Sequence, residues 1–433
     1  MNVKTLVIIT AVVFLILSFQ MGVFTAFAVA CYIPVLYDFF MKQRAMPIGE
    51  LALLLGGFQW IVSPLLAYSY DVFEMSMPIE LYMRNTGIMY CAFMLGYYLF
   101  RKDECIDLRR FVISKAFYTK VAKTMIAIGV VSMALQMFIN IFVLELCKEL
   151  MFVGVLIFMY LRPDKAVRYA ATALGLFMIY CIRNSGYHEL IVWGIFYTMC
   201  VFCTRQYGLL KKIMVFVAAL FVLNTLQTVK FAIRAGGDNH GVAYFTTMFW
   251  DTMFTQSTDD TETNVSERFN QGWIISDIYK TIPDKRDYYY GETIFGSITS
   301  SMLPGFMYGS NRINAEVTKV YFSEFTGHPL SSATSMGLSV LGEGYGNFGL
   351  WGGAVFMFVW GLAIAYFMSL LFRLTRNKDN LWFFLIPIIC HDLYKAELSF
   401  FKVFNWTFKG VIFAFLVIYV MNKLYNYLRP KRI

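Results

Sequence analysis

Apolar residues run along this chain in long unbroken blocks, and the polar residues are swept into the gaps between them. Blocks occupy residues 4–19, 22–40, 50–69, 84–100, 122–145, 149–161, 168–183, 188–203, 211–230, 349–372, 381–392 and 407–425. A helix needs roughly 20 apolar residues to cross the hydrocarbon of a bilayer. Most of the blocks reach that length, while 149–161 and 381–392 fall short of it. A transmembrane barrel would alternate apolar and polar positions in short segments, which these blocks do not. Backbone groups in lipid must be satisfied within the protein, so continuous blocks predict helices. The pattern predicts an all-α polytopic membrane protein of about twelve transmembrane helices, with both termini on one side.

Composition agrees with that reading. Hydrophobic residues make up 58% of the 433, charged residues only 15%, and the mean hydropathy is +0.58. A soluble domain has about 25% charged residues. The basic residues sit on every second connection: Lys42 and Arg44, the run from Arg101 to Lys123, Arg162 to Arg168, Arg205 to Lys212, Arg373 to Lys378, and the tail from Lys423. That bias places these connections and both termini in the cytoplasm. The net charge of +9 then belongs to the cytoplasmic rim, facing anionic lipid, and nucleic acid is not an expected partner. The first block follows Lys4 and has the outline of a signal sequence. A second block resumes at once, so it reads better as a first span. Cys200 and Cys203 have C-x-x-C spacing, but inside an apolar block with no second pair they read as packing. No metal or other cofactor is expected.

The chain therefore divides into residues 1–230 with nine spans, a long outer segment over 231–348, and residues 349–433 with three spans and a basic tail. Segments this long between spans are usually functional. Ionisable residues are nearly absent from the expected spans, whereas ion-coupled transporters need them there. That contrast favours an enzyme working at the outer surface. Within the outer segment, residues 265–281 predict a helix with Ser266 as its cap and an apolar stripe of Trp273, Ile274, Ile278 and Tyr279. A second helix is predicted over 313–324, an aromatic-rich turn over 287–291, and FTGHPLSSATS at 325–335 reads as turn-rich and polar.

Three stretches occur in order: ERFNQG at 267–272, IPDKRDYYYGETI at 282–294 closing with MLPG at 302–305, and GHPLSSATSMGLSVLGEGYGNFG at 327–349. Together they resemble the outer-loop signature of the O-antigen polymerase (Wzy-type) and oligosaccharide repeat-unit polymerase families. Typical members carry an arginine just after the loop proline; here Gly305 follows Pro304, and Arg312 is the nearest substitute. The resemblance implies polymerisation of undecaprenyl-pyrophosphate-linked oligosaccharides at the periplasmic face of a bacterial inner membrane. It implies the bilayer, a chain-length regulator and a flippase as partners. A glycan ligase would need the same donor chemistry, and a flippase of lipid-linked sugar is the rival from another class.

The reaction needs cations for a pyrophosphate leaving group, and arginine suits this because its planar fork stays charged. Arg268, Arg312 and Arg234 are the candidates. It also needs a proton acceptor for the attacking sugar hydroxyl, for which Glu343 and His328 are the candidates. Asn270, Gln271, Tyr345 and Asn347 are placed on sugar. Glu343 lies among Gly342, Gly344 and Gly346, where side-chain-less positions let a backbone approach a bulky ligand. The bland alternative for Glu343 is a carboxylate bonded to free backbone amides.

Overall fold

The computed structural model describes residues 3–428 except 43, 45, 71–74, 103–113, 140, 185–186, 205–206, 236–246, 248, 251–268, 304–311, 331–335 and 378–379. Among the described residues every regular element is helical. In chain order these are α1 (Val3–Leu17), α2 (Val23–Met41), α3 (Ile48–Gly57), a π-helical turn (Phe58–Val62), α4 (Ser63–Tyr70) and α5 (Ile79–Phe100). Then come α6 (Lys115–Gln136), α7 (Phe142–Leu161), α8 (Ala166–Asn184), α9 (His188–Thr204) and α10 (Leu209–Ala235). The outer segment contributes α11 (Gly272–Thr281), α12 (Glu292–Met302) and α13 (Ala315–Thr326). Last are α14 (Val340–Asn377), α15 (Leu381–Ile389) and α16 (Phe400–Tyr425).

Among the described residues five helical stretches are long and apolar enough to cross a membrane: Val23–Met41, Ile48–Ser69, Lys115–Gln136, Val340–Arg376 and Phe400–Tyr425. Lys4–Leu17 and His188–Thr204 are apolar but shorter. Two expected boundaries are corrected. The blocks at 122–145 and 149–161 are instead α6 and α7, joined by a turn near residue 139, because Glu145, Lys148 and Glu149 belong to the first turns of α7 and not to a connection. Within the block at 381–392, α15 takes 9 residues, about 13 Å of helix against roughly 30 Å of hydrocarbon, and turns follow from Cys390.

Polar side chains lock α2 at both ends. At its start, Glu80 from the first turn of α5 accepts hydrogen bonds from Phe24 N–H (3.0 Å) and Thr25 N–H (3.3 Å). These are amides that a helix cannot satisfy itself. At its finish, the buried Asp38 carboxylate receives Arg44 and Arg101, each at 2.8 Å, and Glu50 of α3 receives the same two arginines at 2.8 and 3.3 Å.

The stretch Ile48–Ser69 is one rod with a flaw built into it. Pro64 has no N–H to give the Trp60 carbonyl, and the π-helical turn sends Ser63 N–H back to Phe58 O, which frees the Gln59 carbonyl. Both are collected by neighbours: Tyr82 OH donates to Trp60 O (2.8 Å) and Gln271 N–H donates to Gln59 O (3.2 Å).

α14 breaks at Gly349, whose φ of 68° and ψ of −169° no L side chain adopts without strain. The break folds the two limbs together: a Cβ on Gly353 would lie 3.3 Å from the Gly344 carbonyl. In an unbroken helix these positions, nine residues apart, would be about 13 Å apart. The second limb runs beside α5, Gly96 against Phe358 and Gly361 against Phe93, where a Cβ would strike backbone at 2.0 and 2.3 Å. Small residues at such crossings let membrane helices touch backbone to backbone.

α12 has largely inverted polarity. Apart from Ile294 its buried side chains are hydroxyls, Thr293, Ser297, Ser300 and Ser301, and it exposes Phe295, Met302 and neighbouring Leu303. Its buried hydroxyls turn back onto its own carbonyls, Ser297 to Thr293 O (2.6 Å) and Ser301 to Ser297 O (2.7 Å). A helix with its apolar side outward suits lipid and not water. The aromatic turn expected at 287–291 leads directly into this helix, which packs on α14 and α16.

Candidate functional site

α11 starts at Gly272, where Asn270 Oδ1 accepts from Gly272 N–H (2.8 Å) and closes the turn before it; the expected cap Ser266 lies outside the described residues. Asn270 is buried, and its amide nitrogen faces Met75 sulfur at 3.7 Å. Gln271 is held by its own backbone bond to Gln59, and its side-chain Oε1 is buried with no partner among the described residues. Arg268 lies outside the described residues. So does the side chain of Arg234, whose backbone belongs to the last turn of α10.

α13 starts two residues later than the sequence predicts and is well capped. Asn314 Oδ1 accepts from Glu316 and Val317 N–H, and Gly327, at a φ of 78°, ends the helix. Just past it stands His328, with Nε2 3.1 Å from Asp277 Oδ2 and its side chain 60% exposed. Asp277 also accepts from Ser76 Oγ, which fixes the carboxylate. A carboxylate bonded to one imidazole nitrogen sets the tautomer and leaves the other nitrogen to take a proton.

Arg312 stands at the opposite end of α13. Its neighbour Ile313 donates to Ser300 Oγ (3.0 Å) and packs on Gly296, which pins this strand to α12. α12 packs on α16, where the Lys409 ammonium lies 4.6 Å above the Phe142 ring. No carboxylate among the described residues forms an ion pair with either cation. The 12 residues of α13 make about 18 Å of helix between Arg312 and His328, so the two do not share one reaction centre.

In the glycine-rich stretch the side chains of Glu343, Asn347 and Tyr345 make contacts within the protein. Val340 to Phe348 are helical, and Glu343 is buried, with Oε2 accepting from Phe400 N–H at 2.7 Å. It caps α16 from another helix. Asn347 is also buried: its Oδ1 accepts from Gly291 N–H (3.1 Å), and its Nδ2 donates to Thr293 Oγ1 (2.7 Å) and Glu343 O (2.8 Å). Tyr345 packs its ring 4.3 Å from Tyr279. Glu343 ties α14 to α16, Asn347 ties it to α12 and Tyr345 packs it on α11, and the turn at 289–291 rests on the Gly346 and Asn347 carbonyls.

A buried ionic network was not legible as such in the sequence, and it corrects the expectation that interior charge is nearly absent. Lys148 pairs with Glu189, and Trp193 Nε1 donates to Glu149. Lys395 Nζ lies 2.6 Å from His188 Nε2, 3.2 Å from His391 Nδ1 and 2.5 Å from Asp392 Oδ1. Ligand atoms of His188, His391 and Asp392 gather within 4.8 Å of one another, a spacing a metal ion would use, and the Lys395 ammonium fills that place. Burial holds the His391 imidazole below its usual range and Lys395 adds to this, with Asp392 opposing. The spacing His391-Asp392-Leu393-Tyr394-Lys395 was the available signal, since three and four residues bring side chains together on one turn.

No protein-family model matches this chain, and no curated protein and no solved structure matches it. The fold defines the class directly: an all-helical protein with helices able to cross a membrane, carrying short polar helices against the first limb of α14 and the start of α16.

Proposed function

We propose that this chain polymerises undecaprenyl-pyrophosphate-linked oligosaccharide repeat units at the periplasmic face of a bacterial inner membrane, with about twelve spans and both termini cytoplasmic. The observation that carries the reading is two cations on elements that pack together, Arg312 next to the Ile313 anchor on α12 and Lys409 on α16, with no described carboxylate in an ion pair with either. Like charges held together suit a polyanion, and a lipid pyrophosphate reaches the protein at such a seam. The inverted polarity of α12 supports a bilayer beside it.

The 18 Å separation assigns the roles. The incoming unit anchors its pyrophosphate on Arg312 and Lys409 and extends its sugars along α13 to His328. There His328, oriented by Asp277, takes the proton of the terminal hydroxyl as that oxygen attacks the anomeric carbon of the growing chain. The bond from that carbon to the donor's pyrophosphate breaks, the lipid pyrophosphate leaves, and the anomeric centre inverts. Arg268 is the candidate for the departing pyrophosphate.

The test is the purified chain in vesicles with lipid-linked oligosaccharide extracted from the producing cells. Chain lengthening is expected, reduced at least about 10²-fold by His328→Ala. Arg312→Ala and Lys409→Met are expected to raise the apparent KM for the lipid-linked unit. The buried network around Lys395 favours a second reading, a flippase, since transporters carry such groups. Substrate that crosses the bilayer unlengthened selects that reading.

A further inference from the structure

We infer that Gln59 and Ser63, together with Gln271, form a neutral sugar-binding site at the π-helical turn. Side-chain oxygens of all three are buried and have no hydrogen-bond partner among the described residues. Gln59 is 7% exposed and Ser63 fully buried, so neither oxygen is exposed at the protein surface. A buried polar atom left without a partner costs free energy, and natural structures keep few of them.

Two further observations place the three together. Gln59 and Ser63 lie four residues apart on the widened turn, hence on one side of it. Gln271 is tied to the same spot because its N–H donates to the Gln59 carbonyl that the turn releases. Turns of this kind recur at functional sites, because the inserted residue frees backbone and re-aims side chains. Trp60 Nε1 is also without a partner, but its ring packs on Tyr90 and Phe93 and belongs to a different side.

The chemistry of the group selects its ligand. Gln59, Ser63 and Gln271 offer neutral amide and hydroxyl oxygens, which match sugar hydroxyls and give little to a phosphate. Phe58 and Phe269 stand edge to face at 5.6 Å on the same two segments, an apolar wall beside the polar group. Polar groups against an aromatic wall are the usual make-up of a small-molecule site. The inference rests on the proposed glycan chemistry and names the residues that hold the sugar.

The experiment uses the full chain in nanodiscs and, as probe, the oligosaccharide released from its lipid by mild acid. Saturation-transfer NMR reads binding, and the vesicle assay reads KM and kcat. Gln59→Leu and Gln271→Leu are each expected to weaken probe binding about tenfold or more and to raise KM more than they lower kcat. Ser63→Ala should weaken binding less. Thermal stability should hold or rise, because an unpartnered polar atom is removed. Gln271 is only half buried, so its variant stays folded if that of Gln59 does not. Unchanged probe binding in a folded Gln271→Leu protein overturns the inference, as does no binding by the native chain. Probe binding that depends on these residues without chain lengthening keeps the sugar site and discards the polymerase.

Discussion

The Glu343 carboxylate faces the Phe400 amide, and this contact separates two roles that a carboxylate in a glycine-rich stretch can have. A glutamine keeps an acceptor oxygen for that N–H, whereas alanine leaves it buried and unpaired, at a cost of about 1–3 kcal/mol. Glu343→Gln is expected to keep both fold and chain lengthening, and Glu343→Ala to lower the thermal midpoint. Lost activity in a Glu343→Gln protein with an unchanged midpoint would return this residue to the list of bases. His391 makes a prediction of a different kind. Its folded pKa lies below its unfolded value of about 6.5, so the native state binds fewer protons there. Its contribution is complete above about pH 6.5 and is lost as pH falls through the folded value. Lys395, Asp392 and His188 face it, and Asp392, held low by Lys395 and His391 although burial opposes this, titrates well below that window. Denaturation between pH 8 and pH 5 should show the His391→Asn protein losing less stability on the acid side than the native chain. An identical pH dependence in the two proteins would contradict the assignment.

Among the elements, α14 depends on one backbone conformation. Gly349→Ala places a Cβ at a φ of 68° and about 3.1 Å from the Tyr288 ring, and is expected to cost about 1–2 kcal/mol from the backbone alone. The measurement is the denaturation midpoint, with Gly208→Ala, where a Cβ meets nothing within 4 Å, as the control. Equal midpoints for the two would show that the break is not required. This break also explains what could and could not be read from the chain. Apolar runs announced α2, the second limb of α14 and most of α16, and pattern announced much of α13, because period and length are local properties. α12 escaped because its pattern is inverted: Thr293, Ser297 and Ser300 look like a polar loop until lipid replaces water on the other side. Asn347 and Glu343 were singled out correctly as unusual, but their partners Gly291, Thr293 and Phe400 lie 54 to 57 residues away and left no trace in their neighbourhood. The same holds for His328, whose orienting Asp277 comes from a different helix.

For the whole molecule, charge is sorted into separate buried groups. Asp38, Glu50, Arg44 and Arg101 tie α2, α3 and α5 together, and removing one partner from such a group costs about 3–5 kcal/mol. Asp38→Ala is therefore expected to lower the yield of folded protein more than any exposed lysine change, read by size exclusion in detergent. The second group, around Lys395, joins α7, α9 and the connection before α16. Its ammonium is carried on the chain by four methylenes. It cannot be dialysed away, competed off or starved of supply. Chelators should consequently leave the midpoint of the native protein where it was, while a Lys395→Met protein, with two imidazoles and a carboxylate converging on an emptied spot, should gain a zinc-dependent rise.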